Sequence, residues 1–323
     1  MFEVIFYYYK EEGIVMKRKK KKIMKKRTRN RLILLVGVIL VLLLAFFMIR
    51  GVVTGISSLF SSDVQSVEGY EELHNGGLTD EEISEIVSLP NYHSERAARY
   101  VAWNVKDAKE RVMQVNCDMD LEPYSSTTIL EDDSDVTMLI NKFYALPEGY
   151  VPADLMPLDK YACVQGEDFS CQDAEQIELR KEVYDAYVEF CDAAGKENIN
   201  IRAIAGYRSY DYQAGLWNYN ASVNGEAYAD EYYARPGQSE HNSGLCVDIT
   251  FNGYNYNEIE NYDGYEWILN NAHKYGFILR YPEDKVDVTR YGYESWHFRY
   301  VGKEAAKEIY DNDWTLEEYH GSK

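Results

Sequence analysis

His241, Asp248, Glu294 and His297 are the residues of this chain whose types and spacing most clearly imply chemistry. The first two lie in SEHNSGLCVDI (239–249), the others in YESWHFRYVG (293–302). Neutral imidazole and carboxylate are good zinc donors, and three protein ligands with a vacant fourth position mark a catalytic rather than a structural site. Asp248 sits inside the otherwise apolar run LCVDITF, where a buried carboxylate is costly unless it is paired or holds a metal. In the alternating run W-H-F-R-Y, His297 shares a face with Arg299, opposite Trp296 and Phe298. Glu294, three residues earlier, is placed to reach a water on the metal without being a ligand, as a general base must. Taken alone, His241 and Asp248 read equally well as a turn histidine and a capped aspartate. The E-x-x-H that follows turns the reading toward chemistry.

Three motifs stand in order: G-Y-R-S-x-x-x-Q (206–213), S-x-H-x-x-G-x-x-x-D (239–248) and E-x-W-H-F-R-Y-V-G (294–302). Together with LINKFYALPEGYVPADL from Leu139, they resemble the VanY-type D-alanyl-D-alanine carboxypeptidases and their L,D-carboxypeptidase relatives, over about Leu139 to Tyr310. The resemblance implies that His241, Asp248 and His297 hold one Zn²⁺ and that Glu294 is catalytic base and acid. It implies that Arg208 polarises the scissile carbonyl or holds the substrate carboxylate, and that Gln213, Ser239 and Tyr281 contact the peptide. The implied reaction removes the C-terminal D-alanine from peptidoglycan stem peptides. An L,D-carboxypeptidase acting on tetrapeptide stems shares the motifs, and a non-catalytic wall-binding module is the alternative of another class. There are two departures: Cys246 stands where alanine is usual, and Ser295 where proline is common.

Holding these groups together requires strands, and three are expected: IRAIAG (201–206), GLCVDITF (244–251) and WHFRYV (296–301). Residues 136–158 read as a strand followed by turns. Helical patterns cover about 174–194, 210–220, 265–276 (stopped by Gly276) and a short last segment in VGKEAAKEIYDND. Helices mixed irregularly with short strands, without a βαβ repeat, give an α+β class. The expected form is a small, mainly antiparallel sheet flanked by helices, like that of hedgehog and D,D-peptidase domains, preceded by one transmembrane helix. Nearer the N-terminus, Thr79 and Glu82 form a capping box signature, and about 95–115 reads as a second helix.

Charge is sharply divided. Residues 1–31 carry twelve Lys/Arg against three Glu, so beyond Arg50 the chain must hold −30 of its total −20. So acidic a domain excludes nucleic acid as a partner, because phosphate binding needs a basic face. Residues 32–49 (LILLVGVILVLLLAFFMI) are uncharged and reach the length of a membrane span. The preceding basic block predicts a cytoplasmic N-terminus and a single-pass cell-membrane protein with its catalytic domain extracellular. The expected organisation is a basic tail (1–31), a span (32–49), a linker (50–80), a helical spacer (81–135) and the zinc carboxypeptidase domain (136–318). Met16 is an alternative start. Five cysteines are too few and too irregular for a disulfide scaffold, although Cys163 and Cys171 are spaced to close a small loop. His273 reads as a partly buried helix residue, and EDDSD (131–135) lacks the glycine and terminal glutamate of an EF-hand.

Overall fold

The computed structural model describes residues 64–131, 133–163 and 177–323. Four strands form the central sheet: β1 (Ile201–Ala205), β2 (Cys246–Phe251), β3 (Phe277–Tyr281) and β4 (Glu294–Tyr300), in the order β1-β2-β4-β3. Every neighbouring pair is antiparallel. Helices surround the sheet, giving the expected α+β arrangement.

Strand periodicity sorts the side chains of the two central strands onto two faces. Val247, Ile249 and Phe251 of β2 join Phe298 and Tyr300 of β4 in the main apolar cluster. Cys246, Asp248 and Thr250, with Ser295, His297 and Arg299, take the other parity, yet they too are buried. One face is therefore core, and the other is a buried polar layer.

The core face is covered by helix α1 (Lys181–Lys196), whose Val183, Ala186, Tyr187, Phe190, Cys191 and Ala194 are buried at helical spacing. Phe190 stacks on Trp267, Tyr275 and Phe277 at 6.2, 5.4 and 5.9 Å. Burying such a ring contributes about 1.5–3 kcal/mol. Truncating Phe190 is the single change expected to damage this layer most. Helix α2 (Tyr210–Asn224) starts where the Ser209 hydroxyl accepts from the Tyr212 N–H, and a short helix, α3 (Glu226–Tyr232), follows and packs against it.

Residues 64–116 form a helical layer with its own apolar cluster, including Leu73, Ile83, Ile86, Tyr100 and Val112. The Thr79–Glu82 capping box is present. The helix expected over about 95–115 is broken into Ala97–Ala102 and Ala108–Asn116, because Asp107 caps a new start by accepting from the Glu110 N–H. Residues 64–66 and 70–75, inside the stretch expected as a linker, are helical. This layer meets the C-terminus through Asn91 and Asn116, whose amides both donate to the Gly321 carbonyl.

The expectations of a transmembrane helix and of a single-pass membrane placement are corrected. Among the described residues, no helix is long and apolar enough to cross a membrane. Helix α1, with 16 residues, rises about 24 Å where ~30 Å of hydrocarbon must be spanned. Its outer face is also charged. The stretch 32–49 and the basic tail 1–31 lie outside the described residues. Cys163 is disulfide-bonded, while Cys117, Cys191 and Cys246 are free thiols.

Candidate active site

Sheet register assembles the site. Asp248 of β2 lies directly opposite His297 of β4, which brings neighbouring side chains into contact range. His241 arrives from a 3₁₀ turn, Glu240–Ser243, that ends at Gly244 with φ of 67° and leads into β2. That positive φ is what glycine tolerates at a turn exit. The stretch 206–208 is tied to this turn: the Arg208 N–H donates to the His241 carbonyl at 2.9 Å, and the Asn242 amide donates to the Arg208 carbonyl at 2.7 Å.

Three donors converge. His241 Nε2 is 3.2 Å from Asp248 Oδ2, and His297 Nδ1 is 3.0 Å from Asp248 Oδ1. The two imidazole rings stand edge to face at 5.0 Å. Tetrahedral zinc with bonds of about 2.0–2.1 Å requires neighbouring donors roughly 3.3 Å apart, so the spacing fits. Although close to His297, Asp248 Oδ1 makes no hydrogen bond of acceptable direction and is buried. A buried carboxylate oxygen without a donor is costly, and a cation between the three groups would satisfy it. On the donors and their geometry, the residues fit a zinc ion.

The remaining nitrogen of each ring is committed. His241 Nδ1 donates to the Gly206 carbonyl at 2.7 Å, and His297 Nε2 donates to Glu240 Oε2 at 3.2 Å. These bonds fix the tautomers, leaving Nε2 of one ring and Nδ1 of the other to face Asp248. Gly206 has to be glycine, since a Cβ there would come within 2.5 Å of the Glu178 carbonyl.

Burial opposes charge on both histidines, but Asp248 and Cys246 together outweigh it for His241, which rises to about 9. His297 is likewise raised, by Cys246 and Asp248. Asp248 itself is held well below the carboxylate range; burial works the other way, but the imidazoles win. A pocket that stabilises positive charge this strongly suits a dication, which binds by displacing those protons.

Glu294 lies 3.6 Å from His297 Nδ1 and keeps 23% of its side chain exposed. Strict alternation along β4 would turn it toward the core with Trp296 and Phe298. Instead, the pairing slips between Leu279↔Phe298 and Tyr281↔Glu294, and this irregularity re-aims the carboxylate. Burial is the main cause that raises Glu294 to about 7, and Asp248 adds to it.

The other expected residues lie on the segments that flank these donors. Arg208 is half-buried, and its Nη1 donates to Gln213 Oε1 at 2.9 Å. Gln213 is buried, and its amide nitrogen donates to the Ala234 carbonyl at 2.7 Å. With both ends of its amide occupied, Gln213 holds Arg208. Tyr281 is buried with its ring 5.0 Å from that of His297. Ser239 is buried just before the 3₁₀ turn.

Sequence reasoning missed the support beneath the site. Glu240 is fully buried; Arg280 Nε lies 2.6 Å from it and Arg299 Nη1 2.8 Å. Arg280 is also bound by Glu317 at 2.7 Å. Burial pushes Glu240 up, but Arg280, Arg299 and His297 outweigh that and hold it well below the usual range. The available signal was Arg299, which shares a buried face with His297 and needs a counter-ion.

Comparison with known proteins places this geometry in context. A family profile described as VanY, D-alanyl-D-alanine carboxypeptidase, matches residues 176–303. YodJ of Bacillus subtilis (strain 168) is 44% identical over 62% of this chain and 72% of its own length. The bifunctional D-Ala-D-Ala dipeptidase and carboxypeptidase VanXYC of Enterococcus gallinarum is 36% identical over 56% of this chain and 92% of its own. A solved structure of the LdcB LD-carboxypeptidase is 42% identical, covers 62% of this chain and 95% of that one, and superposes with a TM-score of 0.54.

Proposed function

The chain belongs to the VanY family of D-alanyl-D-alanine carboxypeptidases, and we propose that it is a zinc carboxypeptidase that trims the C-terminal D-alanine from peptidoglycan stem peptides. The observation that carries the reading is the convergence of His241, Asp248 and His297, with Glu294 beside them. Those three residues hold the metal. Bound there, zinc would supply Lewis acidity to the scissile carbonyl and to the attacking water.

Glu294 takes the proton of the attacking water and returns it to the departing amine nitrogen. Its raised pKa keeps proton affinity near neutrality, where general acid–base transfer is most effective. Arg208, held by Gln213, offers a guanidinium fork suited to the free carboxylate that an exopeptidase must recognise, or to the developing oxyanion. Tyr281, packed beside His297, and Ser239, next to the turn that carries His241, contact the peptide in this reading.

D,D-cleavage of pentapeptide stems is the primary reading. A specific observation favours L,D-cleavage of tetrapeptide stems as the second: the 42% identity and TM-score of 0.54 to the LdcB LD-carboxypeptidase. Incubation with both muropeptides, read by mass spectrometry, decides between them. Loss of one alanine from the pentapeptide alone supports the first reading, and from the tetrapeptide alone the second. Loss from neither, with zinc bound, would favour a wall-binding module and sink the enzymatic reading.

A further inference from the structure

The sheet places a fourth potential donor in the same chamber. Cys246 stands two residues before Asp248 on β2, so both side chains leave the strand on the polar face. The sulfur is completely shielded from solvent. Its Sγ and one nitrogen from each of His241 and His297 all lie within 4.8 Å of one another. Asp248 meets the same two rings at 3.0 and 3.2 Å. Two imidazoles are thus flanked by a carboxylate and a thiol, and all four are buried.

We propose that Cys246 is a fourth zinc donor in the resting enzyme, beside His241, Asp248 and His297. This rests on the zinc reading above. With zinc–sulfur and zinc–nitrogen bonds of about 2.3 and 2.0–2.1 Å, a tetrahedral site separates sulfur from nitrogen by roughly 3.5 Å. From a ceiling of 4.8 Å, closure takes about an ångström, within reach of a side-chain rotation. Shielding removes the sulfur's other uses, since a thiol with no exposed surface meets no second thiol. Sulfur also carries a preference: a thiolate donor shifts the site toward softer ions such as zinc and away from magnesium or manganese, which carboxylate and water would suit.

X-ray absorption at the zinc edge of the resting, zinc-loaded protein reads the donors directly. The expected result is one sulfur scatterer at about 2.3 Å beside the lighter donors at about 2.0–2.1 Å, lost in Cys246→Ala while zinc stays bound. Chelator competition should show Cys246→Ala holding zinc about tenfold or more weakly, at least the effect known for outer-shell partners. A spectrum fitted by nitrogen and oxygen alone in the parent protein overturns the proposal, as does unchanged affinity in the variant. Neither result touches the hydrolytic reading, which stands on muropeptide cleavage; absence of zinc altogether would overturn both.

Discussion

Substituting Glu240 by glutamine probes the buried support of the site without touching a metal donor. Glu240 and Glu317 balance Arg280 and Arg299, with all four side chains between 0 and 1% exposed. Removing one carboxylate charge leaves a net positive charge in a layer that water does not reach. Breaking a buried pair from one side typically costs about 3–5 kcal/mol. Glutamine keeps one carbonyl oxygen for the guanidiniums, so the lower end, about 3 kcal/mol, is expected. The assay is urea unfolding of chelator-treated protein followed by tryptophan fluorescence, so that metal binding does not add to the folded state. The pH dependence supplies a second check. Glu240 is held below its unfolded value, so its contribution is fully present above pH ~4.5 and is lost as pH falls toward the folded value. The gap between parent and variant must therefore narrow on acidification. A loss below about 1 kcal/mol at neutral pH with an unchanged denaturant slope, or a gap that widens in acid, refutes the reasoning. Because His297 Nε2 loses its carboxylate partner, zinc affinity should also drop about 10–100-fold.

Glu294→Gln should lower kcat by about 10²–10⁴-fold while zinc content measured by atomic absorption stays at one per chain; loss of the metal instead would move Glu294 into the ligand set. Gln213→Ala should cost less than Arg208→Ala, and Arg208→Lys should not restore activity, because an ammonium lacks the fork; steady-state kinetics on the cleaved stem peptide compares the three, and a functional lysine variant would count against the guanidinium's role. As a base, Glu294 works deprotonated, so kcat/KM should fall as pH drops through a midpoint at or below about 7. A rate that rises on acidification over that range contradicts the assignment. Dialysis against a strong chelator should abolish cleavage and added zinc should restore it, whereas activity that survives removal of the metal rules out the zinc mechanism.

The donor types were legible from residues 239–302 alone. An aspartate within LCVDITF and a histidine within W-H-F-R-Y announce buried polar groups that need a partner, and strand periodicity shows which neighbours share their face. The capping box at Thr79 was equally local. Strand β3 (FILRY), helix α3 and the C-terminal helix Leu316–Gly321 were not read, since each is short and depends on packing that no local pattern encodes. Other features exist only in three dimensions. The pairing slip between β3 and β4 turns Glu294 toward the donors, against the parity its sequence implies. Gln213, read from its motif as a substrate contact, also accepts from Arg208 and donates to the Ala234 carbonyl, a positioning role no motif spells out. Glu317, 20 residues beyond His297, reaches the site's support through Arg280. Sequence determines which groups must be satisfied, because burial cost and periodicity are properties of short segments. Which partner satisfies each group is decided by strand register and by contacts between residues far apart in the chain, so only the tertiary structure determines it.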